Sequence, residues 1–154
     1  AMWRLWVQPD TRVAQTVESL LGGRRVLPAP PRTPMQWVDL LRQGISSAAV
    51  DTLASTLALT QAELAGALAI PERTLARRKK EGLFNSEESA KLLRLARVAE
   101  RAETVFEDWP AALDWLKSPN AALGGVTPLS LMDTDIGAEA VLDTLGRIEH
   151  GVFA

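Results

Sequence analysis

The chain has 154 residues, 47% of them hydrophobic and 23% charged, with no cysteine, no tyrosine and a single histidine, His150. That length suits one compact domain or two small ones and buries enough surface to fold without staples. The lack of cysteine excludes a disulfide framework, a thiolate metal site and a cysteine nucleophile, and no apolar run approaches the ~18 residues of a membrane span.

Alanine and leucine dominate and β-branched runs are missing, so the expected class is all-α. The net charge is only −2, but its distribution is uneven. Residues 1–59 carry six Lys/Arg and four Asp/Glu, residues 60–101 nine and six, and residues 102–154 two and nine. A basic centre joined to an acidic final third implies two surfaces with two kinds of partner. The acidic third would face away from any nucleic-acid duplex.

Residues 1–32 read as an N-terminal arm or linker. Trp3 and Trp6 open it, and Val13, Val17, Leu20 and Leu21 have the spacing of a short amphipathic helix. Gly22-Gly23-Arg24-Arg25 and then Pro28, Pro30 and Pro31 follow, a composition of loops. Arg24 and Arg25 read as a solvated loop or as a basic arm reaching a groove. Thr33-Pro34-Met35-Gln36 is a strong helix start, with Thr as N-cap and Pro in the first turn. Trp37, Leu40 and Leu41 form that helix's apolar stripe, and Gly44 ends it. A further helix is predicted from about Ser46 to Leu57, with Val50, Leu53, Ala54 and Leu57 inward.

Thr60 to Gly82 is the segment on which the basic centre is organised. Thr60 and Glu63 make a capping box, so a helix begins at Gln61 and turns Leu64, Ala65 and Leu68 to one face. Ala69-Ile70-Pro71 breaks the pattern. A second helix runs through Leu75 to a stop at Gly82. Two short helices joined by a tight turn follow the logic of a helix-turn-helix. Its outer face offers Glu72, Arg73, Thr74, Arg77 and Arg78, with Lys79 and Lys80 at the end, and Gln61 opens the first helix. These are the candidate DNA contacts, since arginine suits guanine edges and lysine suits phosphates. Ala69 stands where glycine is usual and would cost roughly 1 kcal/mol if left-handed. The plain alternative is a pair of solvated bundle helices whose cations satisfy a helix dipole.

Ser86, followed by Glu87 and Glu88, is the expected N-cap of a long helix running through Leu92, Leu93, Ala96, Ala99 and Ala102 to about Phe106. Lys91, Arg94, Arg97 and Arg101 recur along it as an outer cationic stripe, read as solvated or as touching a DNA backbone in part. The final third is a series of short helices. One starts at Pro110 and carries Leu113, Trp115 and Leu116. Asn120 to Gly125 is a turn rather than a phosphate loop, having no preceding strand and no lysine partner. Thr127-Pro128 caps a short helix through Met132. A last helix is predicted from Ile136 to about Glu149, with Ile136, Ala140, Val141, Leu145 and Ile148 inward and Gly151 as its cap.

The segments RTLARRKKEG and NSEESAKLLRLARV, with ALDWLKSPNAALGGVTPLSLMDTDIGAEAVLDTLGRIEHGVFA, resemble the Xre-type antitoxins of RES–Xre toxin–antitoxin pairs. The last segment is similar to their toxin-binding domain, shared with the MbcA and ParS antitoxins, and the resemblance covers roughly residues 45–154. It implies a helix-turn-helix DNA-binding domain over residues 33–101 and a toxin-binding domain over 102–154. It further implies an antitoxin that blocks a RES-domain toxin, a class similar to ADP-ribosyltransferases that depletes NAD, and that binds its own promoter. Toxin contact carries over to the last helix and tail: Arg147, Glu149, His150, Gly151, Val152 and Phe153. Asp133, Thr134 and Gly137 match the family's DTxxG element, while Trp115, Leu116, Pro119, Leu123 and Pro128 read as fold. The expectations are a cytoplasmic protein, not an enzyme, with no cofactor and no metal. Its partners would be operator DNA, a RES-type toxin and a second copy of itself in a toxin–antitoxin hetero-oligomer. The competing reading is a stand-alone helix-turn-helix repressor whose C-terminal third dimerises or binds a ligand.

Overall fold

Polar caps divide the chain into eight helices over residues 15–151, the part that the computed structural model describes. They are α1 (Val17–Leu20), α2 (Pro34–Gln43), α3 (Ala49–Thr56), α4 (Gln61–Leu68), α5 (Glu72–Glu81), α6 (Ser86–Phe106), α7 (Trp109–Lys117) and α8 (Asp135–Glu149). Short 3₁₀ turns lie at Gly23–Arg25, Ala121–Leu123 and Pro128–Leu131. Most helix starts follow one rule. Thr16, Thr33, Thr60, Asn85, Asp108 and Thr134 each accept a backbone N–H of the first turn through a side-chain oxygen, which satisfies a donor that has no partner within the helix.

The axis of the molecule is α6. Leu92, Leu95, Ala96, Val98, Ala99 and Ala102 are buried on it, and it packs against α1, α2 and α4 as well as α7 and α8. Alanines at positions 96, 99 and 102 recur every third residue and let neighbouring helices approach closely. One apolar core therefore runs from Val17 and Leu20 through Leu53, Leu64 and Leu75 to Leu116, Val141 and Leu145.

Several sequence expectations shift. Residues 15–32 do not stand off as an arm. Val17, Leu20, Leu21 and Leu27 are buried, and the Val17 N–H donates to Glu100 Oε2 at 2.8 Å, with the Gln15 N–H donating to Glu103. Trp3, Trp6 and Val13 lie outside the described residues. The helix expected from Ser46 starts at Ala49, because the backbone before it pairs elsewhere. Ser46 bridges Leu83 in antiparallel fashion, and the Phe84 N–H donates to Ile45 O at 2.9 Å. Gly44 is required beside this bridge, since a Cβ there would fall 2.2 Å from Phe84 O. The N-cap of α6 is Asn85 rather than Ser86, and Glu88 closes the capping box.

The last helix differs at its start. Thr134 caps it, so α8 begins at Asp135 and turns Ala138, Val141, Thr144 and Leu145 inward. Ile136 sits five residues before Val141, roughly 140° around the helix from it, and is 80% exposed rather than inward. The α6 cations are not a solvated stripe either. Lys91 Nζ donates to Ala69 O at 2.9 Å, Arg94 binds Asp135 and Met132 O, and Arg101 binds Glu149. Of the four, Arg97 forms no ion pair among the described residues.

Candidate DNA and toxin interfaces

The turn between α4 and α5 is built on a strained residue. Ala69 ends α4 with φ 55° and ψ 41°, a left-handed conformation that costs a side-chain-bearing residue roughly 1 kcal/mol. Three contacts hold it there. Its N–H donates to Gly66 O at 3.2 Å, the following Ile70 N–H reaches Ala65 O at 3.1 Å, and Lys91 binds the Ala69 carbonyl from α6. Ile70 and Leu75 are buried beneath the turn, so α5 is pinned by its inner face while its outer face stays open.

The candidate DNA contacts separate into two groups on that helix. Arg73, Arg77 and Lys80 are exposed and fall at i, i+4 and i+7, one stripe along the helix. Glu72 is exposed at the first turn, Thr74 is half-buried next to it, and Gln61 is half-buried at the start of α4. Arg77 keeps a weak link to Glu81, with 4.0 Å between Nε and Oε1. Arg78 and Lys79 point elsewhere. Arg78 donates from Nε to Glu88 Oε1 at 2.8 Å, from Nη2 to Glu88 Oε2 at 3.2 Å and from Nη1 to Glu81 at 2.8 Å. Lys79 Nζ lies 3.0 Å from Asp51 on α3. Burial by itself would raise the Glu88 carboxyl, but the Arg78 guanidinium and the Asn85 backbone N–H outweigh it and hold the group below the ordinary range. The same bonds raise Arg78 further above its already high value. Arg78 is therefore a brace between α5 and α6.

Further along α6, two arginines hold α8. Arg94 grips its first turn through Asp135. Arg101 reaches the last turn, where Nη1 donates to Glu149 Oε2 at 3.1 Å and Nη2 to Oε1. Those bonds hold the Glu149 carboxyl below the usual glutamate range. Of the residues carried over as toxin contacts, Arg147, His150 and Gly151 are exposed at the helix end, and Gly151 turns with φ 73°. Glu149 is engaged by Arg101. Val152 and Phe153 lie outside the described residues. Asp133 is exposed. Thr134 and Gly137 serve the fold locally: Thr134 Oγ1 accepts the Gly137 N–H at 2.9 Å, and a Cβ on Gly137 would fall 2.0 Å from Leu131 O.

Ile136, expected inward, is exposed together with Glu139 and Asp143 at i, i+3 and i+7 on the outer side of α8, whereas Val141 and Leu145 are buried as expected. Apart from Gln61 on α4, the DNA-facing candidates thus sit on α5, and the described toxin-facing candidates lie on α8 or at its two ends; both helices are tied by ion pairs to α6.

The two halves correspond to two known domains. Residues 36–97 match the antitoxin Xre-like helix-turn-helix domain, and residues 101–151 match the antitoxin Xre/MbcA/ParS C-terminal toxin-binding domain. Antitoxin Xre of Yersinia enterocolitica serotype O:8 is 38% identical over 130 residues, covering 83% of this chain and 86% of that protein. Antitoxin Xre of Photorhabdus laumondii is 34% identical over 117 residues, 75% of this chain and 79% of its own length. The Prs ADP-ribosylating antitoxin of a Sphingobium species is 27% identical over 132 residues, 79% of this chain and 83% of that protein. With a helix-turn-helix domain braced against α6 and a toxin-binding domain following it, the chain belongs to the Xre family of antitoxins.

Proposed function

We propose that the chain neutralises a RES-type, NAD-depleting toxin by covering its active site, and that it represses its own promoter through the helix-turn-helix. The observation that carries the toxin half is the toxin-binding domain over residues 101–151, whose last helix ends exposed at Arg147, His150 and Gly151. The excess of acidic residues over residues 102–154 is complementary to a basic cleft that binds an anionic dinucleotide. The similarity to a relative named as a Prs ADP-ribosylating antitoxin supports a toxin of ADP-ribosyltransferase chemistry. The promoter half is supported by the open stripe of Arg73, Arg77 and Lys80 on a helix positioned by its own core. One short recognition helix reads few base pairs, so specific binding calls for two copies and an operator with two half-sites.

The test is co-expression with the RES-type toxin of the same operon. The full chain should restore cellular NAD and co-purify with the toxin. A chain ending after Glu149 keeps α8 and its clamps but should restore much less. Unprotected NAD with the full chain would reject the RES assignment. Equal protection by the shortened chain would move the contact away from the C-terminal end. In gel-shift titrations with the operon's promoter, Arg73→Ala with Arg77→Ala should abolish a discrete complex; retention of that complex would move DNA contact off α5.

A further inference from the structure

Ile136 is a large apolar side chain left 80% exposed on a helix whose other branched and long apolar residues are buried or half-buried. Glu139, Asp143 and Arg147 continue from it at i+3, i+7 and i+11, one line down the outer side of α8. Glu139 and Asp143 make no ion pair among the described residues, whereas Asp135 and Glu149, at the two ends of the same helix, are bound by Arg94 and Arg101. Beside this line lies Gly146, a glycine inside a helix with nothing within 4 Å of where its Cβ would be. Glycine there costs helix stability and the fold does not require it, but its bare backbone permits close approach from outside.

We infer that this outer face of α8 is itself a toxin-docking surface. Ile136 is an apolar anchor set into a pocket of the toxin, Glu139 and Asp143 face toxin cations, and Gly146 admits the toxin backbone beside Arg147. The face belongs to the toxin-binding domain and runs unbroken into the exposed end at His150 and Gly151, which favours the toxin over a second copy of this chain. The inference rests on the toxin reading above and extends it: the C-terminal end enters the active site while the helix side supplies the adhesive contact. An exposed isoleucine that becomes fully covered has the character of a binding hot spot, and the flanking acids would act chiefly on the rate of encounter.

The experiment measures binding of the full chain to the RES-type toxin of its operon, with melting temperature and sedimentation recorded for every variant. Ile136→Ala should weaken binding about tenfold or more, mainly through faster dissociation, with no fall in melting temperature. Glu139→Lys with Asp143→Lys should slow association and reverse its salt dependence. Gly146→Leu should weaken binding although the helix itself gains propensity. Wild-type-like toxin binding by all these variants, with loss on truncation after Glu149, overturns the docking surface and leaves the toxin reading intact. Absence of toxin binding by the full wild-type chain overturns both. A lowered melting temperature for Ile136→Ala assigns the isoleucine to cover by this chain. A shift in sedimentation with unchanged toxin affinity assigns the face to self-association.

Discussion

Ala69 and Glu88 show how single residues set the geometry of the reading helix. Ala69 adopts a left-handed backbone that glycine adopts without strain. Ala69→Gly should therefore stabilise the protein by about 0.5 kcal/mol, the relief of strain less the added freedom of the unfolded chain. Urea titration followed by circular dichroism measures it, and a loss of stability would mean that the methyl group packs usefully beneath the turn. Glu88 is buried with its carboxyl held low, chiefly by Arg78, against the opposing effect of burial. The unfolded chain binds a proton at Glu88 at a higher pH than the folded chain does. The contribution is therefore fully present above the ordinary glutamate value of 4.5 and is lost as the pH falls through the lower folded value. Glu88→Gln should be less stable at neutral pH, and its melting temperature should fall less steeply on acidification than that of the parent. Parallel curves would exclude Glu88 as a source of acid sensitivity.

At the scale of elements, the two glycines of α8 make a matched pair of opposite sign. Gly137 faces the Leu131 carbonyl so closely that a Cβ would sit 2.0 Å from its oxygen, whereas Gly146 meets nothing within 4 Å. Gly137→Ala should cost about 1–3 kcal/mol, because backbone rather than a pliant side chain must move. Gly146→Ala should contribute about 1 kcal/mol, the ordinary helix preference. Thermal melts of the two variants check both signs, and equal effects would show that the 3₁₀ turn at Pro128–Leu131 yields easily. On α5, the division of cations predicts a functional split. Lys80→Ala should weaken operator binding evenly across sequences and lower the salt slope by about one, the mark of a phosphate contact. Arg78→Met should instead lower the melting temperature, because it strands the buried Glu88 carboxylate. If Arg78→Met altered sequence preference at unchanged stability, the brace would have to be reassigned as a reader.

The whole molecule is a single long helix, α6, holding a helix-turn-helix on one side and a toxin-binding helix on another. Much of this was legible in the sequence, because caps and apolar spacing are local chemistry. Thr33, Thr60 and the α4–turn–α5 unit fall where their residues predict. What was not legible depends on partners distant in sequence. Arg78 looks like a DNA contact, and Lys91, Arg94 and Arg101 like solvated cations, until the fold brings Glu88, the Ala69 carbonyl, Asp135 and Glu149 to them. Val17 and Leu20 look like part of an arm until Glu100 and Glu103 receive the backbone beside them. The same long-range pairs give the last prediction. Arg94 and Arg101 fix α8 at both ends, so the toxin meets a helix already held in place. Replacing both with Met keeps the apolar stems that cover α6 but removes the clamps. The double variant should release toxin roughly two- to fivefold faster, the size expected of partly exposed ion pairs, while operator affinity stays as in the parent. Amide exchange should rise in the first and last turns of α8 and not in α4 or α5. Raising the salt concentration should narrow the difference between variant and parent, because screening weakens the same pairs in the parent. Exchange that rises equally in α5 and α8 would instead mean that α6 transmits a disturbance from one binding helix to the other, and operator affinity would then fall along with toxin affinity.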